Sequence, residues 1–86
     1  MTSSELDNLV RIGGLKKEPG GPAEIEGLLL SGRERLTDAK NRELALESRF
    51  DLAYNAAHAL ALAALRKRGY RSDNRYLVFQ ALPHTL

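Results

Sequence analysis

From Ser48 to Gly69 the chain reads SRFDLAYNAAHALALAALRKRG, and between Ala56 and Leu65 every residue is Ala or Leu except His58. A helix that is apolar nearly all round must be covered on most sides, so this segment is expected to form the axis on which the domain assembles. Its length, about 20 residues at 1.5 Å per residue, corresponds to a rod of roughly 30 Å. Ser48 and Asp51 have the spacing of a capping box at its start, and Gly69 offers the left-handed residue that ends it. The many alanines leave room for neighbouring backbones to approach closely.

Working outward, Pro22, Ala23, Glu24 and Glu26 favour a helix start, and Ile25, Leu28, Leu29, Leu36 and Ala39 continue at steps of three, four and seven. This spacing predicts an amphipathic helix over about 23–40, with Arg33, Glu34, Arg35, Asp38 and Lys40 on its solvated face. Residues 41–47, NRELALE, form the connection, and Leu44 and Leu46 are expected to tuck against the core. Two adjacent long helices with a short link should lie antiparallel. After Gly69, Asp73 or Asn74 can cap a fourth helix containing Tyr76, Leu77, Val78, Phe79, Ala81 and Leu82, which Pro83 ends or bends. At the other end, Thr2, Ser3, Ser4 and Glu5 form a capping start for a short helix that stops at Gly13 and Gly14. The stretch LKKEPGGP, residues 15–22, reads as a linker. The chain therefore divides into an N-terminal arm, 1–22, and a helical domain, 23–86. No alternation is long enough to predict a strand, so the class is all-α, a small up-and-down helical bundle.

An 86-residue chain is at most one domain and buries a modest fraction of its unfolded surface. It has no Cys, which excludes disulfides and thiolate metal sites and fits a reducing cytoplasm. Glu5 and Asp7 stand where a secretory signal needs basic residues, and the longest apolar run is about half the roughly 20 residues needed to cross a bilayer. A cytoplasmic protein without membrane contact is expected. Stabilisation by self-association or by further chain remains.

No catalytic, metal or cofactor motif stands in the sequence. The glycine pairs lack a phosphate-loop pattern, and His58 and His84 have no ligand spacing. Two constellations merit attention. Asp51, Asn55 and His58, four and then three apart, project from one face of an otherwise apolar helix. Such a stripe must be solvated or hydrogen-bonded, so it either faces water, with His58 satisfied by a carbonyl, or lines a cleft where His58 acts as a base or phosphate donor. Arg66, Lys67, Arg68, Arg71 and Arg75 form a basic run. These cations either complement a helix C-terminus or contact an anion, RNA included. Tyr70, Tyr76 and Phe79 can stack on bases or belong to the core.

The stretch SRFDLAYNAAHALALAALRKRGYRSDNRYLVFQAL resembles the central helical hairpin of the HEPN superfamily, in which a long Ala-rich helix ends in a GY or GF turn. LLLSGRERLTDAK resembles the first long helix of bacterial HEPN-like proteins. The resemblance spans about 23–86 and implies an up-and-down bundle that dimerises, with further helices following the fourth segment. It also implies either a ribonuclease toxin or a protein paired with a nucleotidyltransferase-type antitoxin. The family's ribonuclease motif places His four to six residues after Arg. Here Arg49 and His58, and Arg75 and His84, are each separated by eight residues. The motif therefore passes to no residue of this chain. The expectation is a non-catalytic module without cofactor that self-associates through the apolar faces of 25–36, 50–65 and 76–82. Alternatives are a degenerate ribonuclease using His58 with arginines of 66–75, and a small basic nucleic-acid-binding bundle.

Overall fold

Two long antiparallel helices form the backbone of the molecule, whose computed structural model describes residues 3–85. Helix α2 (Pro22–Ala39) begins with its proline in the first turn after the extended Gly21, where the missing N–H costs nothing. Helix α3 (Leu46–Lys67) returns alongside it. A short helix α1 (Ser3–Arg11) precedes them, and a shorter one, α4 (Arg75–Ala81), follows and runs into a 3-10 turn at Leu82–His84. The fold is a small all-α helical bundle. Among the described residues no helix is long and apolar enough to cross a membrane.

Two helix starts separate the choices that sequence leaves open. Helix α3 starts before Ser48, at the N-cap Ala45, with no side-chain cap. What fixes its first turn is tertiary: Arg49 Nε donates to the Ala39 carbonyl at 2.8 Å, satisfying one of the orphan acceptors at the end of α2. Helix α4 has a side-chain cap, with Asn74 Oδ1 accepting the Leu77 N–H at 3.2 Å. Gly69, at φ 87°, ends the axial helix as its position predicts. Thr2 lies outside the described residues.

The sequence showed no strand, yet the chain forms a two-residue antiparallel ladder, β1 (Lys16–Lys17) on β2 (Tyr70–Arg71), with Lys16 opposite Arg71 and Lys17 opposite Tyr70. The pairing is too short for any periodicity to announce. It draws the segment that follows α1 onto the body. Leu6 and Leu15 join Ala61, Leu65, Tyr70, Val78 and Ala81 in one buried cluster, and Leu6 and Leu65 are wholly inaccessible. A clasp reinforces this seam: the Tyr70 hydroxyl donates to Asp7 Oδ1 at 2.6 Å, and Lys17 Nζ stands 3.6 Å from the same carboxylate.

Beyond the ladder, and beside the Glu18 N–H bond to the Gly69 carbonyl at 2.9 Å, one side chain gathers the rest of the linker. Arg66 is 4% exposed although it belongs to the basic run. Its Nε and Nη2 grip the Glu24 carboxylate at 2.8 and 3.1 Å, Nη1 donates to the carbonyls of Glu18 and Tyr70 at 2.8 and 3.3 Å, and Nη2 donates to that of Pro19 at 3.3 Å. All five guanidinium N–H groups are thus used. The strap lies so close to α3 that a Cβ on Gly20 would stand 3.0 Å from the Arg66 carbonyl oxygen. Because backbone cannot yield there, Gly20→Ala should cost about 1–2 kcal/mol, read as a lowered urea midpoint.

The large buried side chains cluster toward one end of the 45 × 24 × 20 Å molecule, while along the hairpin the buried residues are small, Gly32, Ala39 and Ala56 among them. Beyond that cluster the hairpin projects, and Leu44 and Leu46, expected against the core, are exposed, Leu46 by 78%. Phe50 is 67% exposed. Helix α3 is thus covered by α2 along one face, while its opposite face is covered by α1 and α4 only over its C-terminal half.

Candidate functional site at the α3–α4 seam

The polar stripe of α3 meets α4 at an aromatic and cationic cluster. The Asn74 cap places Arg75 in the first turn of α4 and Phe79 four residues later on the same face. Arg75 Nη1 donates to Asn55 Oδ1 at 2.8 Å, and its guanidinium sits 5.9 Å from the centre of the Tyr54 ring. Phe79 stacks obliquely with Tyr54, centroids 5.6 Å apart at 60°, and takes the His58 ring at 5.8 Å and 73°, edge to face. Asn55 Nδ2 donates back to the Asp51 carbonyl at 2.8 Å.

The structure therefore brings Asn55 and His58 together with Tyr54, Arg75 and Phe79, whereas Asp51 joins through its backbone and leaves its exposed carboxylate outside. Both ends of the Asn55 amide are engaged. His58 is half-buried, and desolvation by its apolar surroundings, with the nearby Arg75 charge as the lesser cause, holds its ring below the ordinary value of 6.5. A neutral imidazole at neutral pH is the result. Tyr54 and Phe79 were not linked to the stripe by sequence reasoning. The signal for them lies in position alone, Tyr54 one residue before Asn55 and Phe79 one helical turn after Arg75.

A pH dependence follows. The unfolded chain takes up the His58 proton at its ordinary value and the folded chain only lower, so between the two the unfolded state binds more protons. Stability that is present above about pH 6.5 should drain away as pH falls below it. Urea titrations between about pH 7 and 5 should show this decline, and His58→Phe should flatten it. An unchanged slope in that variant would refute the assignment.

The basic run is dispersed. Arg66 is spent on the strap. Arg71 Nη1 faces Glu18 at 3.4 Å and Nη2 faces Asp73 at 3.5 Å, Arg68 Nε donates to the Thr85 carbonyl at 3.2 Å, and Arg75 turns to the α3 stripe. Lys67 is exposed. Arg66 and Arg71 meet at the same Glu18 carboxylate, whereas Arg68 and Arg75 are engaged elsewhere. Tyr70 is buried, Tyr76 is exposed and Phe79 is half-buried. Among the described residues no three His, Asp or Glu converge as a metal would require. In comparisons with protein-family models, curated proteins and solved structures, nothing matches the chain.

Proposed function

We propose that this chain is a non-catalytic, HEPN-like helical interaction module that self-associates, working in the bacterial cytoplasm within a toxin–antitoxin type system beside a nucleotidyltransferase-type partner. The observation that carries this reading is the uncovered apolar surface of the α2–α3 hairpin, where Leu30, Leu36, Leu46 and Phe50 are all exposed. Large apolar side chains left exposed on one hairpin support an interaction surface in a small protein. The long Ala-rich α3, ended by Gly69 and followed by α4, supports this reading. The seam supports a non-catalytic role, because the cation beside His58 is already held by Asn55 and Tyr54. Light scattering at high micromolar concentration should give the mass of a dimer. A well-folded monomer there would overturn the reading.

One observation favours a second reading, a degenerate ribonuclease: Arg75 lies near enough to His58 to influence its charge. Incubating RNA with wild-type and His58→Ala protein separates the two. Equal or absent cleavage is expected, and cleavage abolished by the substitution would select the ribonuclease.

A further inference from the structure

We infer that the α3–α4 seam is an acid-operated latch: a proton placed on the His58 imidazole, beside the Arg75 guanidinium, lifts α4 from α3 while the α2–α3 hairpin stays closed. The company the ring keeps is the basis for this. His58 is half-buried between the two helices, with its ring 5.8 Å from that of Phe79. On α4 it faces Phe79 and the cation of Arg75, and on its own helix Tyr54 shares the Phe79 ring. The Asp51 carboxylate, two turns back on α3, stands exposed outside the cluster. His84, the other histidine, lies past the far end of α4 in the 3-10 turn. Among the described residues no carbonyl or carboxylate accepts a hydrogen bond from the imidazole, and Arg75 is the one charge that shifts it. A proton arriving there has no counter-charge and meets a cation already fixed by Asn55.

Two features direct the response to α4. The first is length. Helix α4 has 7 residues, too few to hold helical form without packing, whereas α3 has 22 and lies along α2. The second is attachment. Arg75 and Phe79, one turn apart, are the α4 side chains that grip the polar stripe of α3, and both meet at the His58 cluster. Val78 and Ala81 hold another side of α4 in the core, so the closed form prevails while His58 is neutral. Lifting α4 bares the His58 ring to water, where it binds its proton at the ordinary value of 6.5, whereas in the closed form it does so only lower. Protons therefore accumulate on the open form and draw the equilibrium toward it as pH falls through this range. The opening is local and involves less of the chain than the unfolding of the whole domain.

Native-state hydrogen exchange of the full chain, followed residue by residue at about pH 7 and about pH 5.5 and corrected for intrinsic rates, tests this. The amides of residues 78–81 should exchange ahead of those of 56–65 and respond little to low urea, because a local opening exposes little surface. Their protection should fall at the lower pH. In His58→Phe and in His58→Gln, which leave nothing to titrate at this position, it should be the same at both. Exchange of the α4 amides in step with 56–65 at every urea concentration would mean that α4 opens only with the whole fold, and overturns the latch. Acid loss of α4 protection that persists in both variants overturns it too.

Discussion

Arg66→Met is expected to lower the unfolding free energy by roughly 2–4 kcal/mol, a large share of the roughly 5–15 kcal/mol available to a small domain. The loss has an identifiable source. Glu18 and Glu24 are about half-exposed, so their ion pairs with Arg66 are screened and contribute little individually. The carbonyls of Glu18, Pro19 and Tyr70 all accept from the guanidinium, which ties the linker to the end of α3 beside the Glu18 N–H bond to the Gly69 carbonyl. Arg66→Lys keeps the charge but not the planar fork, and should recover less than half of the loss. Urea midpoints with an unchanged slope would measure both variants. A drop within experimental error for Arg66→Met would mean that the strap is not held by this residue.

Leu6→Ala should cost about 2–4 kcal/mol, although Leu6 lies in a segment that composition sets apart from the body. Leu6 is wholly inaccessible and packs in the cluster with Leu65, Val78 and Ala81. Truncating it leaves a cavity that the backbone of a nine-residue helix, pinned through Asp7 to Tyr70, is poorly placed to fill. An independent arm would lose no more than about 0.5 kcal/mol, as exposed positions do. Chemical denaturation followed at two wavelengths distinguishes these outcomes. The same clasp has pH limits at both ends. The Tyr70 hydroxyl and Lys17 hold Asp7 below its ordinary value against a smaller upward push from desolvation, so its contribution is lost as pH falls through the acid range. Asp7 and burial push Tyr70 above its ordinary value, so its contribution is lost as pH rises past about 10.

The two long helices were legible because their apolar spacing runs for several turns and Pro22 and Gly69 punctuate them. Asn74 was one of two candidate caps, and only geometry chose it. The start of α3 was misplaced because an Arg49 bond to a distant carbonyl outweighed the local capping signal at Ser48. Composition separated residues 1–22, since Gly and Pro mark a break in secondary structure and say nothing about where the chain goes next. In the stripe, helical spacing sets Asn55 and His58 on one face of α3. It could not foresee that Asp51 would contribute its carbonyl, or that Arg75, twenty residues along, would complete the cluster. Arg66 was read with its basic neighbours because charge is visible in a sequence and burial is not. A cation at helical spacing from Leu62 and Ala63, followed by a glycine turn, is the pattern that could have signalled an inward guanidinium.

Arg66 takes hold of residues 18 and 19 by their main chain, and this makes it a gauge of length instead of a reader of side chains. Substitutions at Glu18 or Pro19 preserve the carbonyls that it grips, so variation there is tolerated. Inserting or deleting a residue between Lys17 and Pro22 shifts those carbonyls out of reach and moves Gly20 from the place where the strap lies flush against α3. Sequences adopting this fold are expected to conserve the spacing of this segment more strictly than its letters.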